Sequence, residues 1–170
     1  MIVMSLCFYV VKELAVMGQQ SFWAKICMLQ EPISSKQIEK LLALLHDKTS
    51  IAIIDYDKTS GDRHVVASIW NALRRANVAD MRAKTLPVEF MLFVSGETQI
   101  VKALKKVGIS QSTRKIVIVD FESEESLESF LEALGDLGLH LVKPRVIPPC
   151  EDGGRSEDLA IERGTLTNIK

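Results

Sequence analysis

Apolar residues change spacing several times along the chain, and each change predicts a different element. Residues 2–11 and 22–29 are dense in Val, Ile, Phe, Cys, Tyr and Trp and are separated by "VMGQQS", which predicts two antiparallel strands joined by a turn. In "SSKQIEKLLALLHDK" the spacing lengthens to three and four. Ile38, Leu41, Leu42 and Leu45 then share a helical face over about 35–46, with Ser34 or Ser35 as N-cap. "IAIIDY" reads as a short buried strand ended by the turn "TSGD". A second helix follows over about 63–77, with Val66, Ile69, Trp70 and Leu73 inward and Asn71, Arg74 and Arg75 toward water.

The run "TLPVEFMLFVSG" is apolar enough for a central strand, but two residues favour a short helix. Pro87 suits a first helical turn, where its missing N–H costs nothing. Glu89 would be expensive in a strand covered on both faces, whereas a helix sets it at the edge of an arc that turns Val88, Met91, Leu92 and Ser95 inward. Ser95 and Gly96 break this helix. Ile100, Val101, Leu104 and Val107 define the next one, closed by Gly108 as C-cap, with Lys102, Lys105 and Lys106 on its wet side. "RKIVIVDF" predicts a strand, and "ESEESLESFLEALGDLG" a helix capped by Ser123 with Leu127, Phe130, Leu131 and Leu134 inward.

After Val142 the three prolines and two glycines of "KPRVIPPCEDGGRSED" predict a loop or tether. The expected organisation is therefore one α/β (α+β) domain over 1–142, with a small mixed sheet packed by several helices. A tether follows over 143–158, and a partner-docking segment over 159–170 carries Leu159, Ile161, Leu166 and Ile169. Gly164 lowers the helical stability of that segment by about 1 kcal/mol relative to alanine.

Composition narrows the function classes. At 170 residues, 47% apolar and 25% charged, the chain fits one globular domain. The apolar opening "MIVMSLCFYVVKELAVM" lacks a basic leader and a cleavage pattern and is too short to cross a bilayer, so a cytoplasmic protein with no membrane partner is expected. A net charge of −1 argues against nonspecific coating of nucleic acid but leaves room for a local basic patch. Cys7, Cys27 and Cys150 are expected to be reduced, and His46, His64 and His140 make no metal-ligand spacing, so no metal and no cofactor are expected.

Two chemistries compete for the polar residues. "IAIIDYDKTSGD" resembles the first motif of the haloacid-dehalogenase class of Mg-dependent, aspartate-nucleophile phosphatases. In that reading Asp55 attacks phosphorus, Asp57 protonates the leaving oxygen, Ser95 holds a phosphate oxygen and Lys102 or Lys105 offsets charge. Asp120 with Glu124 would help hold Mg²⁺. The motif lacks a glycine directly after its second aspartate, and it needs a strand at 88–94.

The longer run "HVVASIWNALRRANVADMRAKTLPVEFMLFVSGETQIVKALKKVGIS", then "RKIVIVDFESEESLESFLEAL", resembles the small accessory subunit of the KEOPS complex, the p53-related protein kinase binding protein family. The resemblance covers about 64–134. It is carried by His64, Lys84 with Thr85, Glu89, Ser95 with Gly96, Gln99 with Ile100, Ala103 and Gly108; Thr98 stands where the family has an arginine. It implies a noncatalytic protein that binds the complex's small atypical kinase-ATPase. It also implies capture of the 3′ CCA end of a tRNA, in support of N6-threonylcarbamoyladenosine formation at tRNA position 37. The residues expected at the RNA are His64, Arg74, Arg75, Arg82, Lys84, Ser95, Gly96, Gln99 and Lys102, because cations hold phosphates and exposed backbone groups read splayed bases.

Overall fold

The computed structural model describes residues 22–147. Their elements run β1 (Trp23–Leu29), α1 (Ser35–His46), β2 (Ile51–Asp55), a single 3-10 turn (Tyr56–Lys58), α2 (Asp62–Asn77), α3 (Leu86–Ser95), α4 (Ile100–Val107), β3 (Lys115–Asp120), α5 (Glu124–Asp136) and β4 (Leu141–Val146). The expected first strand, residues 2–11, lies outside the described residues.

The strands form one sheet in the order β2-β3-β1-β4. Both β1 and β2 pair antiparallel to β3, so β1 and β2 run the same way with β3 inserted between them, a split βαβ unit. The α/β class of the domain is as expected. The expected mixed pairing is not found among the described residues, where β4 also pairs antiparallel to β1.

Period-two alternation divides the strand residues between two cores. Ala24, Ile26, Ala52, Ile54, Val117 and Val119 face α2 and α3, together with Val65, Ile69, Leu73, Phe90 and Phe93. Cys27, Leu29, Ile51, Ile53, Ile116 and Ile118 face α1 and α5, with Leu41, Leu127, Phe130 and Leu134. Because both faces are covered, β2 is buried at all five positions and β3 at its last five. Cys27 belongs to this core as a free cysteine, and burial pushes its thiol up to about 11.

Local chemistry sets the helix ends. Ser34 and Gln37 form a reciprocal capping box at α1, and the Ser123 hydroxyl accepts the Ser126 N–H at α5. Pro87 occupies the first turn of α3, and Gly96 ends that helix in the left-handed region at φ 66°.

Three expectations need correction. Leu42 does not share the inward face of α1 but is 62% exposed, since Ile38, Leu41, Leu44 and Leu45 already fill the arc toward the sheet. Residues 143–146 of the expected tether belong to β4. That strand is outermost among the described strands, and a register shift against β1 absorbs one extra residue beside Pro144. On α4, Ala103 and Val107 face inward while Ile100, Val101 and Leu104 face water.

Gly108 closes α4 as expected, but not through a left-handed backbone: its φ is −67° and ψ 160°. Space explains the glycine instead, because a Cβ there would lie 2.2 Å from the Leu104 carbonyl oxygen. Gly108→Ala is expected to destabilise the fold by about 1–3 kcal/mol, the usual cost of overpacking. An unchanged urea midpoint would refute the steric account.

Candidate basic and buried-carboxylate site

The α2–α3 pair positions most of the predicted site residues. His64 sits in the first turn of α2 but is 5% exposed, and its Nδ1 accepts the Ser60 N–H at 3.0 Å. Burial lowers its pKa and the Lys106 charge adds to the effect, opposed by a hydrogen bond to the Val94 backbone. His64 is therefore a neutral internal residue that joins the start of α2 to the end of α3.

Glu89 is also internal. Sequence reasoning set it at the edge of the α3 arc, yet it is 0% exposed. The 78–85 connection folds back to meet it: the backbone N–H groups of Arg82 and Ala83 each donate to Oε2 at 2.8 Å, and Arg82 Nε donates to Oε1 at 3.2 Å. Three donors, one of them cationic, replace the water that a buried carboxylate loses.

This clamp aims the Arg82 guanidinium across the Phe93 ring at 4.7 Å, and Arg75 approaches the same ring at 5.9 Å. The Arg75 guanidinium also donates to the Asp80 carbonyl at 3.1 Å. Both terminal nitrogens of Arg82 are buried and have no hydrogen-bond partner among the described residues. The structure thus gathers Arg75 and Arg82 around Phe93, a residue that sequence reasoning did not single out; the signal was its place one turn after Glu89. Arg74 and Lys84 are exposed. Arg74 lines a shallow groove of about 250 Å³ with Trp70, Leu73 and Asn77.

The remaining predicted residues lie where α3 ends and α4 begins. Ser95 is buried, its hydroxyl donating to the Leu92 carbonyl at 3.1 Å and accepting from the Glu97 N–H at 3.3 Å. Gly96 is half-buried, whereas Gln99 and Lys102 are exposed, with Gln99 as N-cap of α4. Leu159, Ile161, Leu166 and Ile169 lie outside the described residues.

The phosphatase constellation is not assembled. Antiparallel pairing sets Asp55 opposite Ile116 and Asp120 opposite Ile51, so the two carboxylates occupy opposite ends of the β2–β3 ladder. A four-residue offset corresponds to roughly 14 Å. The required strand at 88–94 is helix α3, and Ser95 is occupied as part of its C-terminal turn. Asp55 is committed to structure: Oδ1 accepts the Asp57 N–H at 3.1 Å, Oδ2 accepts the Thr113 hydroxyl at 2.7 Å, and Lys58 lies 3.5 Å away. Asp120 Oδ1 accepts the Glu122 N–H at 2.8 Å. Asp57 stands on the 3-10 turn, Lys102 and Lys105 on α4 and Glu124 at the start of α5, and no group of three metal-ligating side chains occurs among the described residues.

Comparison with known proteins agrees with the helical reading. The family described as kinase binding protein CGI-121 matches residues 33–138, more than half of the chain. The chain is also 22% identical to the KEOPS complex subunit Cgi121 of Pyrococcus abyssi (strain GE5 / Orsay), across 85% of this chain and 79% of that protein. No helix among the described residues is long and apolar enough to cross a membrane.

Glu89→Ala is expected to destabilise the protein by about 3–5 kcal/mol, because it leaves buried donors and a buried guanidinium uncompensated. A loss below about 1 kcal/mol in urea denaturation would show that the clamp is not structural. The lowered pKa of His64 predicts a pH dependence. Its stabilising contribution is complete above the ordinary value of 6.5 and is lost as pH falls through the lowered folded value, because the unfolded chain binds the proton first. Urea midpoints should decline below about pH 6.5, and His64→Gln should flatten that slope; persistence of the slope in the variant would assign it to another group. Asp62, whose hydrogen bond to Arg145 lowers its pKa from an ordinary 3.8, acts only at more acidic pH.

Proposed function

The chain belongs to the CGI-121 kinase-binding protein family, and from that premise we propose that it is a noncatalytic KEOPS accessory subunit acting in the cytoplasm. In this reading it binds the complex's small atypical kinase-ATPase and receives the 3′ CCA end of a tRNA, supporting N6-threonylcarbamoyladenosine formation at tRNA position 37. The KEOPS subunit name of its Pyrococcus relative supports the assembly, and the family description supports the kinase.

The observation that favours RNA is the set of cations around the clamp. Glu89 and the Phe93 ring hold Arg82 inside the α2–α3 junction, and exposed Arg74 and Lys84, with half-buried Arg75, form the positive region around it. Phosphate oxygens are the acceptors that such a set recognises, since bidentate guanidinium contacts combine charge with direction. His64 and Ser95 contribute from inside: buried and internally bonded, they hold the α2 start and the α3 end that carry exposed Gln99 and Lys102. On the kinase side, Leu159, Ile161, Leu166 and Ile169 would supply apolar contacts from the C-terminal segment.

The direct test compares binding of a tRNA with and without its 3′ CCA. Removal of those nucleotides should weaken binding at least tenfold, and Arg74→Glu or Lys84→Glu should weaken binding of the intact tRNA and reduce its salt dependence. Equal affinity for the two RNAs would rule out end recognition.

A further inference from the structure

Helix α4 exposes its larger apolar residues. Ile100, Val101 and Leu104 are 45%, 64% and 49% exposed, whereas the inward positions are Ala103 and Val107. The spacing of 100, 101 and 104 places all three on adjoining strips of one helix surface, about 12 Å long for eight residues. Single exposed aliphatic residues need no explanation, but three adjoining ones on a short helix mark a surface that is covered in use.

The border of this patch defines what covers it. Lys102, Lys105 and Lys106 are exposed on the same helix, and Glu97 engages Lys106 at 3.4 Å. A second copy of the chain would bring like charges together. RNA would meet the lysines, but unstacked bases are read by aromatic and planar groups, and these three side chains are aliphatic. A protein surface with an apolar centre and a carboxylate rim matches both features.

We infer that the exposed face of α4 is a docking surface for the kinase-ATPase partner, which meets Ile100, Val101 and Leu104 with apolar side chains and Lys105 with a carboxylate. The inference rests on the kinase-binding reading above and locates its desolvated centre on the folded domain. The site is rigidly carried: α4 packs on α3 through Ala103, and Lys58 of the 3-10 turn donates to the Gly108 carbonyl at 2.6 Å at its far end. Substitutions on the outward face therefore leave the contacts that hold the helix untouched.

The test measures kinase affinity for the full chain and for Leu104→Asp, Val101→Asp and Lys105→Glu, with a thermal melt of each. The expected result is at least tenfold weaker binding for either aspartate variant and a several-fold loss for Lys105→Glu that grows at low salt, with melting curves unchanged. Lys105→Glu keeps the test decisive if an aspartate variant misfolds. Kinase affinity equal to wild type in Lys105→Glu and in a folded aspartate variant would overturn the inference, and loss of binding only on deletion of residues 159–170 would assign the interface to the tail. Unchanged kinase binding with weakened tRNA binding in Lys105→Glu would make α4 an RNA face, which also overturns it. Failure of the wild-type chain to bind the kinase would remove the functional reading itself and this inference with it.

Discussion

A carboxylate with no access to water organises the helical side of this protein. Glu89 must find donors or impose a large desolvation cost, and the connection between α2 and α3 supplies three of them from Arg82 and Ala83. The loop is thereby tied to the helix it precedes. Its arginine, held along α3, reaches Phe93, and Arg75 from α2 reaches the same ring. One buried charge thus fixes a loop conformation, a helix pairing and the direction of a largely buried guanidinium. Replacing such a pair by apolar residues of equal volume often costs little stability, but here it would remove the cation that packs on Phe93 and the carboxylate that ties down the loop.

The sheet imposes the complementary constraint. Because α2 and α3 cover one face and α1 and α5 the other, neither strand face offers room for a chemical site, and polar residues are driven to the strand ends. There Asp55 and Asp120 close turns and link neighbouring segments. Antiparallel pairing sends the two aspartates to opposite ends of the ladder, whereas a parallel sheet would have collected both at one edge. Topology, more than the identity of any residue, keeps the two aspartates from meeting as the phosphatase motif would require.

Much of this was legible from local chemistry. Ser34 with Gln37, Ser123 and Pro87 mark helix starts through their own backbone requirements, and the branched apolar run "KIVIVD" needs no tertiary context to read as a strand. What was not legible depends on neighbours. Pro144 looks like a breaker until β4 is seen to pair with β1 through a register shift. The depth of Glu89 depends on a loop returning from seven residues upstream, which no periodicity encodes. Apolar spacing located α1 and α4 correctly but not the direction they face, so Leu42, Ile100, Val101 and Leu104 were assigned to the core and are exposed.

The two surfaces proposed for binding share a mechanical origin in α3. Near its start and along its buried face, Glu89 and Phe93 align the guanidinium groups; at its end, the left-handed Gly96 turn launches α4 in a fixed direction. His64, bonded within the core beside Val94, holds that end against α2. A ten-residue helix buried at seven positions is stiff on the scale of side-chain motion, so strain at one end has little room to dissipate before reaching the other. The aliphatic character of α4 and the cationic character of the α2–α3 rim suit different macromolecules, and α3 supports both.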